Sequence, residues 1–326
     1  MSTLPGKTVL ITGANAGIGK EVGRQLALRP EFGRIYLACR NAERGKAAKA
    51  ELEAATGRTI FKIVLMDVAD LESVRAGLED IDGSVDALVM NAGVIGPQTL
   101  GLTDDGVTTV FATNVLGHVV LLEGLLAEDR LGEVALFVGS EAVRGVPKLR
   151  MKGPSFVSTS ADELASVIDG SYWVSHKPDF NLAFGQAKYI GALWMGYLAR
   201  THPDRRFLTV SPGNTTGTQA ASDLPLPMRI AAKYVMPALG LAHSLDVGAK
   251  RLVDGVTDPT LSSGVFYASA ANKLNGPMVN QAEFVPGAGN PSFQDNANEA
   301  IHRFIMERHA RENLPRRLGG ANANRR

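Results

Sequence analysis

Short apolar runs and amphipathic stretches alternate along most of this chain. Runs at residues 8–11, 34–39, 59–66, 85–90, 134–138, 207–210 and 263–268 predict strands. Between them apolar residues recur three and four apart, which predicts helices. The first begins in a glycine turn, carries Ile18, Val22 and Leu26 on one stripe, and runs towards Pro30. Others are predicted at 41–55, 71–78 and 108–126, from near Leu182 to before Pro203, and in an amphipathic tail over 293–314. Strand and helix in alternation argue for a parallel sheet with helices on both faces. Regularity fails at 144–178, where Gly, Pro, Ser and charges show no period, and at 224–241, an apolar stretch broken by prolines.

The first strand and helix enclose the glycines Gly13, Gly17 and Gly19. Glycines let a backbone approach a pyrophosphate closely, and the free N–H groups at a helix start favour its charge. The turn therefore reads as a dinucleotide-phosphate site. The end of the second strand reports which dinucleotide. An NAD site wants an acid there for the ribose 2′-hydroxyl, whereas the sequence is Leu37-Ala-Cys-Arg40-Asn41. Arg40 suits a 2′-phosphate through its bidentate fork, so NADP(H) is expected over NAD.

Composition narrows the classes. Apolar residues are 45% and charged residues 21%, as in globular proteins, and 326 residues suffice for one large α/β domain. A net charge of +1 indicates no nucleic-acid partner and no acidic membrane surface. The single Cys39 excludes an internal disulfide, reads as a buried thiol, and fits a reducing, cytoplasmic setting. The N-terminus carries no basic segment followed by an apolar stretch, so no signal peptide is expected. No apolar run suggests a membrane-spanning helix, and the six histidines show no metal-ligand spacing, so no metal is expected.

The spacing Gly13-x-x-x-Gly17-x-Gly19 is the mark of the short-chain dehydrogenase/reductase family, which this chain resembles over nearly its whole length. The resemblance implies a Rossmann-type doubly wound parallel sheet of about seven strands, with helices on both faces. It carries Gly13, Asn15, Ala16, Gly17, Ile18, Gly19, Arg40 and Asn41 to the cofactor's phosphates and ribose. It carries Asp67 and Val68, after the third strand, to the adenine. Asn91-Ala92-Gly93 looks like the family's Asn-Ala-Gly signature on the cofactor floor, and Pro212, Gly213 and Thr215 join the cofactor set.

The same resemblance implies a catalytic set. Asn114 matches the asparagine that holds a proton-relay water, Ser140 the serine that hydrogen-bonds the substrate carbonyl, and Lys188 the lysine that binds the nicotinamide ribose. The family's fourth member is the tyrosine of Tyr-x-x-x-Lys. In Phe184-Gly-Gln-Ala-Lys188 a phenylalanine stands there, with the shape of the tyrosine but no proton to give. That tyrosine is the family's general acid, and general acid catalysis is worth roughly 10²–10⁴-fold. Tyr189 should face elsewhere, about 100° round the helix, while Tyr172 and His176 could reach inward.

Leu-Ala-Cys-Arg-Asn, Phe-Gly-Gln-Ala-Lys and the later Ser211-Pro-Gly resemble the branch containing retinol dehydrogenases and protochlorophyllide oxidoreductases. Members of this branch handle bulky apolar substrates. One domain over 1–326 is expected, with a substrate-cleft insert at about 144–178, an apolar lid at about 218–242 and a helical tail from about 293. The leading expectation is an NADP(H)-dependent oxidoreductase with atypical proton donation, in the form of a homo-oligomer or a single chain. A catalytically silent NADP(H)-binding sensor or scaffold, or a chain engineered with Phe184 to trap substrate, fits the same residues.

Overall fold

The computed structural model describes residues 6–147, 151–216, 242–285 and 287–312. Eight strands form one sheet in the order β3-β2-β1-β4-β5-β6-β7-β8. They are β1 (Lys7–Thr12), β2 (Phe32–Cys39), β3 (Phe61–Leu65), β4 (Val85–Met90), β5 (Leu131–Val138), β6 (Arg206–Val210), β7 (Phe266–Ser269) and β8 (Met278–Asn280). The first seven pair in parallel. These correspond to the seven apolar runs. The eighth runs antiparallel to β7 and has no buried residue, so no apolar run announced it.

Each parallel strand is apolar on both sides because each side is covered. In β1, Leu10 faces one core while Val9 and Ile11 face the other. The helices are α1 (Gly17–Ala27), α2 (Ala42–Thr56), α3 (Leu71–Glu79), α4 (Thr109–Ala127), α5 (Ala161–Ile168), α6 (Tyr172–Ser175), α7 (Phe180–Thr201), α8 (Leu245–Thr257) and α9 (Pro291–Glu312). Helices α1, α2 and α8 supply the Val9 side, whereas α3, α4, α5, α7 and α9 supply the Leu10 side. The strand order reverses between β1 and β4, where ligands bind in open α/β sheets, at the carboxyl ends of the strands.

Three expectations are corrected. The helix over 108–126 is not regular: a π-helical turn, Ala112–Leu116, interrupts α4 around Asn114. The stretch 144–178, read as irregular, contains α5 and α6. Helix α5 starts on a Ser160 cap, steadied by Glu163, that periodicity overlooks. Ser160 Oγ accepts from Glu163 N–H at 3.2 Å, and the Glu163 carboxylate accepts the N–H groups of Val157, Ser158 and Thr159 at 2.7–2.8 Å. Third, α4 is long and apolar enough to cross a membrane by length and composition, contrary to the sequence reading. It owes that composition to the core, since 72% of it is buried inside the protein. Most of the expected lid, and the tail past residue 312, lie outside the described residues.

Candidate active site

A cleft of about 300 Å³ opens at the carboxyl ends of β1, β2, β3 and β4. Gly13, Asn15, Ala16, Gly17, Ile18, Arg40, Asp67, Val68 and Asn91-Ala92-Gly93 line it, with Thr12 and Thr113. Helix α1 points into this cleft with no side-chain cap and no acid in its first turn. By contrast α2, α3, α5 and α7 are capped by Asn41, Asp70, Ser160 and Asp179. The uncapped end leaves its first N–H groups and the positive end of its dipole for an anion. Gly13 holds φ at +64°. A Cβ on Gly19 would lie 2.6 Å from Asn91 Nδ2 and 2.7 Å from Gly13 O, so no side chain fits there. Gly19 therefore shapes the turn from behind and does not line the cleft.

Arg40 is exposed at the edge of the cleft. Asn41 faces a shallower neighbouring hollow with Arg44 and Ser73, and its side chain caps α2. Asp67 Oδ1 accepts Ala69 N–H at 3.0 Å, which fixes the turn after β3. An open helix end, close-approach glycines, a polar floor and an arginine at the edge fit a dinucleotide phosphate. The main-chain amides around Gly13 and at the uncapped start of α1 are the groups that would hold its diphosphate.

Behind the cleft floor the polar groups are locked. Thr12 Oγ1 accepts the N–H groups of Asn91 and Ala92, both at 2.9 Å. Its own hydrogen therefore points to His118 Nε2, 2.9 Å away. Nε2 is then an acceptor, and the ring proton sits on Nδ1, which donates to Asn114 O at 3.2 Å. Burial holds this imidazole neutral, its pKa lowered to about 3, and nearby Lys188 pushes the same way. Asn114 Nδ2 donates to Val94 O at 2.9 Å and Val110 O at 2.8 Å. Asn114 Oδ1 has no donor among the described residues and faces Gly93, where a Cβ would come within 2.5 Å of it.

Lys188 is 3% exposed, on the inner face of α7. Its Nζ lies 4.8 Å from the Phe137 ring centre and 5.7 Å from that of Phe184. Burial lowers its pKa to about 7, with no carboxylate opposing the shift. Phe184 is half-buried, one turn before Lys188. Ser140 Oγ accepts Ala142 N–H at 3.1 Å, which leaves its hydrogen to donate outward. Tyr189 faces away, against Phe156 and Phe293 at 5.6 Å from each ring centre. Tyr172 stacks on the exposed His176 with ring centres 4.0 Å apart.

Pro212, Gly213 and Thr215 do not line the cleft. They form the loop after β6, pinned by His243, whose Nε2 lies 2.6 Å from Pro212 O and 3.1 Å from Thr215 Oγ1. The sequence reading passed over Thr12, His118, Glu141 and Arg251. A polar residue inside an apolar run was the available signal for Thr12, Glu141 and His118. Arg251 carried none.

A model of the family described as short chain dehydrogenase matches residues 7–147. Over that stretch the chain is similar to the short-chain dehydrogenase family. Retinol dehydrogenase 12 of Mus musculus is 41% identical over 135 residues, which are 40% of this chain and 41% of that protein. The chain thus aligns with about two-fifths of that relative's length. A short-chain dehydrogenase/reductase of Armillaria gallica is 28% identical over 289 residues, 85% of this chain and 81% of its own. Among solved structures, L-sorbose reductase from Gluconobacter frateurii, complexed with NADPH and L-sorbose, superposes with a TM-score of 0.62. At 20% identity, over 83% of this chain and 97% of that one, it shares the fold.

Proposed function

We propose that this chain is an NADP(H)-dependent oxidoreductase that reduces a carbonyl or conjugated double bond of a bulky apolar molecule, with Lys188 as the proton source. One observation carries the reading: an almost fully buried lysine, with no carboxylate partner among the described residues, sits behind the ring that replaces the family's tyrosine. NADP(H) supplies the hydride chemistry when bound. Ser140 donates its free hydroxyl hydrogen to the substrate oxygen and holds it. Lys188 Nζ, carrying a positive charge it is poorly solvated to keep, gives up one proton to that oxygen, directly or through one water. His118 keeps its proton on Nδ1, donated to Asn114 O, and takes no part in the transfer. The exposed Arg40 and the absence of an acid after β2 support NADP(H) over NAD. The names of the retinol dehydrogenase relatives support an apolar substrate.

In the reductive direction Lys188 must be protonated. Its pKa of about 7 makes kcat level below that pH and falling above it, about tenfold per pH unit. NADPH oxidation over pH 5.5–9.5, with retinoid-like carbonyls, quinones and tetrapyrroles, tests this. In Phe184→Tyr a phenol becomes the donor and the descending limb moves to higher pH. A pH-independent rate in the native chain would remove Lys188 from this role. NADPH binding without oxidation, in either form, would favour the sensor reading.

A further inference from the structure

A buried carboxylate at the carboxyl end of the sheet has no role among the residues assigned so far. Glu141, next to Ser140, is 5% exposed. Its Oε2 accepts Ser211 Oγ–H at 2.5 Å, and its Oε1 accepts Ser269 N–H at 3.1 Å and Ser269 Oγ–H at 2.8 Å. Ser211 Oγ in turn accepts Gly213 N–H at 3.0 Å. Arg251 of α8, also 5% exposed, lies 3.7 Å from Glu141 Oε1. It donates to Ser269 Oγ at 3.0 Å, Gly276 O at 2.5 Å and Ser211 O at 3.3 Å. One carboxylate thus joins the ends of β5, β6 and β7, and one guanidinium ties them to α8.

The sheet itself holds this corner weakly. Strands β6 and β7 share only two register pairs, Thr209 with Phe266 and Val210 with Tyr267. The loops after them would drift relative to Ser140 without a further tie. A buried ion pair is a poor way to gain stability, because apolar residues of the same volume do as well or better. What it gives here is a fixed geometry among three loops.

We propose that Glu141 is a positioning residue: with Arg251 as counter-charge, it sets the Pro212–Thr215 loop against Ser140, and so shapes the nicotinamide end of the site. This rests on the oxidoreductase reading above. Glu141 touches neither cofactor nor substrate, and the adenine end, built on β1, β2 and β3, does not depend on it.

Two probes separate the ends: 2′,5′-ADP, which fills only the adenine half, and NADPH, which fills both. Glu141→Gln removes the charge. The double variant Glu141→Leu/Arg251→Met replaces the pair with apolar bulk, and Glu141→Asp restores the charge on a shorter arm. Binding is followed by fluorescence and calorimetry, folding by thermal melting. Expected for the double variant is a melting temperature close to native, unchanged 2′,5′-ADP affinity, NADPH affinity down roughly tenfold and kcat down roughly 10²-fold, the scale of a 1 Å misplacement. Glu141→Asp should recover part of the NADPH loss. NADPH binding at native strength in the double variant overturns the proposal, as does equal weakening of both probes in step with melting temperature. If the native chain binds neither probe, the dinucleotide reading itself falls, and the proposal with it.

Discussion

After β1 and β2 the cleft is walled by glycines, main-chain amides and the uncapped end of α1, with Arg40 at its edge. After β5, β6 and β7 the polar groups are buried side chains gathered on the Glu141 carboxylate. The first construction needs only small residues at a few positions, and its binding groups come with the fold. The second needs an acid, a base and two serines held together out of water, and removing one partner strands the other. The difference predicts that the adenine end tolerates side-chain change except at the glycines and Arg40, while the nicotinamide end fails abruptly. Lys188 lies between the two, a buried charge with aromatic faces in place of a counterion.

The largest expected effect is at Lys188. Lys188→Met should lower kcat roughly 10²–10⁴-fold, the scale of one general acid, with a smaller loss of NADPH affinity. Turnover within a few-fold of native would show that another donor serves. Lys188 also sets a stability signature. Its folded pKa of about 7 lies below the ordinary 10.5, so between these values the unfolded chain binds more protons. Stability should therefore rise as pH goes from about 7 towards 10.5, and Lys188→Met should flatten that rise in urea unfolding.

Next comes the buried pair. Glu141→Leu alone leaves Arg251 unpaired and should cost about 3–5 kcal/mol, most of it returned when Arg251→Met is added. Additive losses in chemical unfolding would mean that the two charges do not act together. At the adenine end, Arg40→Asp should reduce the preference for NADPH over NADH by roughly 10-fold to 100-fold, about 1.5–3 kcal/mol for a charged hydrogen bond. An unchanged preference ratio would place the 2′-phosphate elsewhere. The smallest effect belongs to a cap remote from the cleft: Ser160→Ala should cost about 1 kcal/mol with NADPH affinity unmoved.

The same contrast separates what the sequence reveals from what it hides. The seven parallel strands and the glycine turn were legible because burial on both faces leaves unbroken apolar runs and a close approach leaves glycine. The cleft lining was legible for the same reason. It is local in sequence, with Gly13 to Ile18, Arg40, Asp67 and Asn91 each just past a strand end. The Glu141 cluster was not, since its members are 128 residues apart between Glu141 and Ser269 and make sense only once three strands lie side by side. His118 was hidden for a related reason: its partner Thr12 is 106 residues away. The π-turn at Asn114 has no periodic signature, and α5 was concealed in a polar stretch by its own cap.

The neck between Thr215 and His243 has a further consequence. The chain leaves the loop after β6 at Thr216 and returns at His243, and the two ends are stitched together by Thr216 N–H to His243 O at 3.0 Å and His243 N–H to Asn214 O at 2.9 Å. The closure is made at its base by main-chain atoms and so does not depend on the side chains of the intervening residues. Loop entropy grows only as the logarithm of length, about 0.6 kcal/mol for each doubling. The number of residues between Thr216 and His243 can therefore change at little cost in closure while Asn214, Thr216 and His243 keep their main-chain bonds.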